Sequence, residues 1–193
     1  MYEHKTALSL TAIIIFVTVT TAVCLHGRQN RMVAAGSTMR SVTSPEQAYV
    51  IWKEKKVRGR VLLLFDNYPH MRGLNDYKVA PQLTPSNLVE FSVFRNILRK
   101  IYFIVPDATW NEFQRQEIMQ PLRVVPGLER GLYLYNLNGL PLVAVPMSSL
   151  PHLTEKPLIY INNNVFNYSE VKALLSEKKI VSDIIISYPD SAK

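Results

Sequence analysis

Cysteine is almost missing from this chain: 193 residues contain one, Cys24, and it falls inside an uncharged stretch. No intramolecular disulfide can form, and residues 26–193 hold no thiol nucleophile and no cysteine metal ligand. Zinc ribbons, thiol–disulfide relays and papain-like chemistry are thereby excluded. Glycine is also scarce, at seven residues, and none sits in a phosphate-cradling loop. There is no Gly-x-Ser-x-Gly elbow and no Asp-x-Asp. Acidic residues number 15 against 22 Lys and Arg, a net charge of +7. The basic residues are scattered apart from Lys53, Lys55, Lys56, Arg58 and Arg60, which end an expected helix. Such a cluster suits a solvated helix end or a face near anionic lipid, and nucleic acid is not an expected partner.

After residue 25 no uncharged run is long, but before it there is one. Thr6 to Leu25 (TALSLTAIIIFVTVTTAVCL) carries no charge over twenty residues. As a helix rising 1.5 Å per residue it matches a hydrocarbon core roughly 30 Å thick. Its hydroxyls can bond carbonyls one turn back. The expected organisation is a short tail (1–5), a transmembrane helix (6–25) contacting the lipid bilayer, a basic juxtamembrane linker (26–43) and one α/β domain (44–193). A cleaved signal peptide is the alternative, although Val33-Ala34-Ala35 lies past Arg28 and Arg31, a poor cleavage position. A buried soluble helix is a second alternative. Lys5 and the terminal amine against Glu3 precede the segment; Arg28, Arg31 and Arg40 follow it. By one charge this places the carboxy-terminal domain on the cytoplasmic or matrix side, in a bacterial or mitochondrial inner membrane rather than the secretory pathway.

Within the domain, Ser44-Pro45-Glu46-Gln47 predicts a capped helix to about Lys55. Arg60–Phe65 (RVLLLF) is a strand buried on both faces, followed by a loop to Leu83. Thr84-Pro85-Ser86-Asn87 opens a helix reaching about Lys100, then Ile101–Val105 is a strand. A short helix is expected from Trp110 to Met119, and a hairpin over Gly131–Val145 turning at Asn138-Gly139. Pro157–Ile161, Ser169–Glu177 and Asp183–Ser187 read as strand, helix and strand. The class is α/β, a mainly parallel three-layer domain with one β-hairpin insertion.

Ligands of such sheets bind beyond the carboxyl ends of the strands, so three strand ends matter: Phe65 to His70, Val105 to Asp107 and Ile161 to Phe166. Asp66, His70, Asp107 and His152 are the only side chains there suited to metal or acid–base work. Each also has an ordinary use, Asp66 as a turn cap and the histidines as loop residues. Asn162-Asn163-Asn164 likewise suits a turn. Asn167-Tyr168-Ser169 is formally a glycosylation sequon, meaningful only in a secretory lumen. Tyr133 and Tyr135 alternate on the hairpin, either against a partner or within the sheet.

In order along the chain, AYVIW (48–52), VLLLFDNYPHM, SNLVEFSVFRNIL, IYFIVPD, INNNVF and ISYPDS resemble elements of the arginase-like (ureohydrolase-type) metal hydrolase superfamily. The branch concerned has an Asp-x-His-x-Asp loop, a Val-Pro-Asp strand end and an Asp-x-Asp-x-Asp-Tyr-Phe strand end. The resemblance spans about residues 45 to 191 in short fragments, and implies a truncated form of that fold. It also implies where two metal ions would bind, and there the chain departs. Asp66 matches, but Tyr68 replaces the histidine and His70 the aspartate; Tyr160, Asn162 and Asn164 stand at the later aspartates. Two divalent ions need several anionic oxygens. The expectation is a site with no catalytic residue, metal or cofactor, in an accessory or scaffolding subunit bound to other membrane-complex subunits. The alternatives are a single-pass membrane enzyme, a metal-dependent hydrolase or glycosyltransferase-like protein using Asp66, His70 and Asp107, and a membrane-proximal binding module for a small ligand.

Overall fold

A computed structural model of the chain describes residues 38–71, 82–115, 133–137 and 140–188. The chain divides into two units, Met1–Ser37 and Thr38–Lys193. The expected membrane segment, the Asn138-Gly139 turn and the end of the expected helix at Met119 lie outside the described residues. Among the described residues, no helix is long and apolar enough to cross a membrane.

The second unit is an α/β sheet of seven strands: β1 (Thr38–Ser41), β2 (Arg60–Phe65), β3 (Leu98–Val105), β4 (Tyr133–Leu137), β5 (Leu140–Pro146), β6 (Leu158–Asn162) and β7 (Ile184–Tyr188). They lie side by side in the order β1-β7-β6-β2-β3-β5-β4. All pairings are parallel except β4 with β5, the expected hairpin, whose last pair Leu137↔Leu140 leaves two residues between the strands. Among the described residues four α-helices accompany them: α1 (Pro45–Glu54), α2 (Leu88–Phe94), α3 (Trp110–Arg115) and α4 (Tyr168–Glu177).

Period-two alternation divides the strand side chains between two cores. Leu62, Leu64, Ile101, Phe103, Tyr160 and Ile186 face one way, against Ala48, Ile51 and Trp52 of α1 and Leu88 and Val89 of α2. Leu63, Phe65, Ile104, Ile159, Ile161 and Ile185 face the other, against Val171, Leu174 and Leu175 of α4. That gives three layers, and it explains RVLLLF, whose last five residues are all buried.

Three expectations shift. The linker expected over 26–43 loses its end, because Thr38–Ser41 is a strand paired with β7. The helix expected to reach Lys100 stops at Phe94, where Asn96 takes a left-handed φ of 56°. The Ile97 N–H then bonds the Ser92 carbonyl and the Asn96 N–H bonds that of Val93, a Schellman closure. Ile97 and Leu98, apparently on the helix's apolar face, instead lead into β3. The capping box of α1 uses Thr43 rather than Ser44: Gln47 accepts from the Thr43 N–H at 2.9 Å and donates to the Thr43 hydroxyl at 3.0 Å.

Helices α1 and α4 close in the same way as α2, with Lys56 and Lys179 at φ 54°. A left-handed L-residue costs roughly 1–2 kcal/mol. Glycine removes that cost but loosens the unfolded chain by up to about 1 kcal/mol. Lys56→Gly is therefore expected to raise stability by about 0.5–1 kcal/mol, read as a higher urea midpoint at unchanged slope.

Candidate functional site

Chain direction reverses across the sheet between β2 and β6. From β2 the chain proceeds through β3 to the β5–β4 edge; from β6 it proceeds through β7 towards the β1 edge. The crevice beyond the carboxyl ends of two such strands is where an open α/β sheet accommodates a ligand. Here Asp66 directly follows β2 and Asn162 ends β6. The resemblance-derived positions Asp66, His70, Tyr160 and Asn162 meet at this point, with Tyr68 against the His70 ring.

Asp66 is 1% exposed, and both of its oxygens are engaged. Oδ1 accepts from the backbone N–H of Asn67 at 2.7 Å and of Tyr68 at 3.3 Å, and from Asn162 Nδ2 at 3.0 Å. Oδ2 lies 2.9 Å from His70 Nε2. Three donors thus share Oδ1, which has two lone-pair positions, and His70 takes one position on Oδ2.

His70 is held just as closely. Its Nδ1 is 2.7 Å from the Pro85 carbonyl, an oxygen that only accepts, so Nδ1 carries a proton. On the other side of the ring Nε2 bonds Asp66 Oδ2 at 2.9 Å, so the imidazole bridges the carboxylate and the Pro85 carbonyl. His70 adopts a left-handed φ of 49°, and its own carbonyl accepts from the Val89 N–H at 3.2 Å. The loop after β2 is thereby fastened to the turn that opens α2.

Around this pair are aromatic rings. Tyr68 and Tyr160 meet the His70 ring edge-on at 5.4 and 5.9 Å, and Tyr188 stacks on Tyr160 at 6.4 Å. Asn162 Oδ1 accepts from the backbone and the side chain of Asn164, so the asparagine run forms a local turn. Asn163 donates to Ser187 Oγ at 2.6 Å, bracing β6 against β7.

Asp107 and His152 do not join the group. Asp107 accepts from the Ser148 hydroxyl at 2.6 Å and its N–H at 3.1 Å, tying the end of β3 to the turn after β5. His152 Nδ1 is 3.2 Å from the carbonyl of Lys178, at the other end of the sheet. Among the described residues no three His, Cys, Asp or Glu side chains form a group able to hold a metal ion.

Two further groups here lack partners: Tyr160, expected at this position, and Glu46, which the sequence did not point to. The Tyr160 hydroxyl is wholly buried with no hydrogen-bond partner. Burial, and then the neighbouring Asp66, Tyr188 and Glu46, push its pKa far above the ordinary value of 10.0, so it keeps its proton. Glu46, in the first turn of α1, has one carboxylate oxygen buried without a hydrogen-bond partner. The only sequence cue to Glu46 was its place in the first turn of a helix following an edge strand. An orphaned buried hydroxyl costs about 1–3 kcal/mol. Tyr160→Phe is expected to raise stability by about 1 kcal/mol in urea denaturation; a ligand that uses the hydroxyl would turn that gain into a loss.

No protein-family model, curated protein or solved structure matches the chain. Its function is therefore argued from the site itself.

Proposed function

We propose that residues 38–193 form a catalytically silent α/β domain, tethered to a membrane by residues 6–25, that serves as an accessory or scaffolding subunit of a membrane-associated assembly. On this reading the domain is a degenerate relative of the arginase-like metal hydrolases. The observation that carries it is the burial and engagement of Asp66. A catalytic or metal-binding carboxylate keeps a lone pair facing its ligand. Here the carboxylate is 1% exposed, two backbone amides and an asparagine crowd Oδ1, and His70 holds Oδ2. The rival enzyme reading needs Asp66, His70 and Asp107 to act together, whereas Asp107 is spent on Ser148. A sheet can persist after its chemistry is lost.

The test is purification of the tagged full-length protein in mild detergent, followed by native mass determination. Stoichiometric membrane subunits in the purified species are the expected result. A clean monomer or homodimer that hydrolyses amide or ester substrates on addition of manganese would overturn the reading.

A further inference from the structure

Because β1, β2, β3, β5, β6 and β7 run parallel, everything that precedes a strand gathers at one end of the sheet, and there the charge is strongly positive. Lys53, Lys55, Lys56 and Arg58 lie at the end of α1 and the approach to β2. Arg95 follows α2, Arg99 and Lys100 are the second and third residues of β3, and Lys156 precedes β6. Lys178 and Lys179 follow α4. The acidic side chains in these segments are Glu54, Glu155, Glu177 and Asp183. Three of them are paired: Asp183 with Arg60 at 2.8 Å, Glu155 with Arg99 at 2.5 Å and Glu177 with Lys178 at 3.8 Å. Among the described residues, Lys53, Lys55, Lys56, Lys156 and Lys179 are exposed and make no ion pair.

At the opposite end the sign reverses, with Glu46, Glu90, Asp107, Glu112 and Glu170 in the first turns of helices. Complementing helix dipoles explains part of this segregation. It does not explain the exposed apolar side chains at the basic end. Phe94, 46% exposed, ends α2 beside Arg95, whose guanidinium stands 5.7 Å from its ring; Val181, 44% exposed, precedes β7. Basic residues interleaved with an aromatic and an aliphatic side chain are the pattern of a lipid interface. The chain also enters the sheet at this end, since Thr38 pairs with Ile184, the first residue of β7.

We infer that the amino end of the sheet is a docking face for an anionic phospholipid surface. This rests on the tethered reading above: the uncharged segment fixes the domain to the bilayer, and the basic end then lies flat on acidic headgroups. Each basic residue near such a surface strengthens binding by about fivefold. A Debye length of only a few ångström at high salt removes most of that attraction.

The full-length chain, reconstituted with vesicles of phosphatidylcholine alone or with about one third phosphatidylserine, is treated with an amine-acylating reagent and its lysines read by mass spectrometry. Acylation of Lys53, Lys55, Lys56 and Lys179 is expected to fall at least fivefold on the anionic vesicles. Lys172, exposed within α4, stays unchanged as the internal reference, and 0.5 M NaCl restores the rest. The combined variant Lys53→Gln, Lys55→Gln, Lys56→Gln, checked by circular dichroism, should lose protection at Lys179. Equal acylation on both vesicles overturns the docking face, as does stronger protection by single-stranded RNA than by anionic vesicles. Flotation separates the two layers of inference. Floating with anionic but not neutral vesicles keeps the docking face and overturns the anchor; floating with neither overturns both.

Discussion

Asp66→Ala is expected to destabilise the domain by about 3–5 kcal/mol, because it leaves several buried donors without an acceptor, each at a cost of about 1–3 kcal/mol. The substitution leaves the His70 ring between two aromatic rings with only the Pro85 carbonyl as partner. It also orphans Asn162 Nδ2 and the N–H groups of Asn67 and Tyr68. The size and sign separate a structural carboxylate from a catalytic one. Catalytic groups are often held at some cost to the fold, so removing one tends to leave stability unchanged or raise it. At Asp66 the opposite is expected: a large fall in the urea midpoint. A neutral or stabilising result would mean that the bonds described are not what the carboxylate is for, and would reopen the enzyme reading. His70→Ala should cost less, because Asp66 retains three donors.

Much of this architecture was legible in the residues. RVLLLF has no polar alternation, and its strand is buried on both faces as that implies. Proline after a serine or threonine marked the starts of α1 and of the turn before α2, since proline fits a first helical turn. What escaped was set by contacts distant in sequence. TMRS has no apolar run, and Thr38–Ser41 is a strand because one side of it pairs with β7, nearly 150 residues later. Ile97 and Leu98 continue the helical periodicity of α2, so the pattern overran; the signal that mattered was Asn96, a residue tolerant of left-handed backbone. In the site, Asp66, His70 and Asn162 were recognisable because they stand at strand ends. Their partners were not, since a proline carbonyl and two backbone amides leave no mark in a motif. Asp107 looked equivalent to Asp66, each directly beyond a hydrophobic strand. Only the neighbouring turn, with the Ser148 hydroxyl within reach, distinguishes them.

Asn162→Asp bears most directly on whether the crevice is a site emptied of charge. Asn162 Nδ2 donates to Asp66 Oδ1 at 3.0 Å in a part-buried setting. An aspartate there replaces a donor with a second carboxylate facing the first, so a bond to a charged group worth about 1.5–3 kcal/mol is lost and like-charge repulsion is added. The expected loss is about 3 kcal/mol near neutral pH. It should shrink as the pH falls, because a protonated carboxyl at position 162 can donate to Asp66 as the amide did. A divalent cation is the other remedy. Two facing carboxylates beside an imidazole are a ligand set suited to manganese. If millimolar manganese restores the urea midpoint of Asn162→Asp and leaves the parent protein unaffected, asparagine at this strand end is what keeps the crevice free of metal. If the variant is as stable as the parent in chelator, the carboxylates turn away from each other, and the bond from Asn162 to Asp66 is not what shapes the switch point.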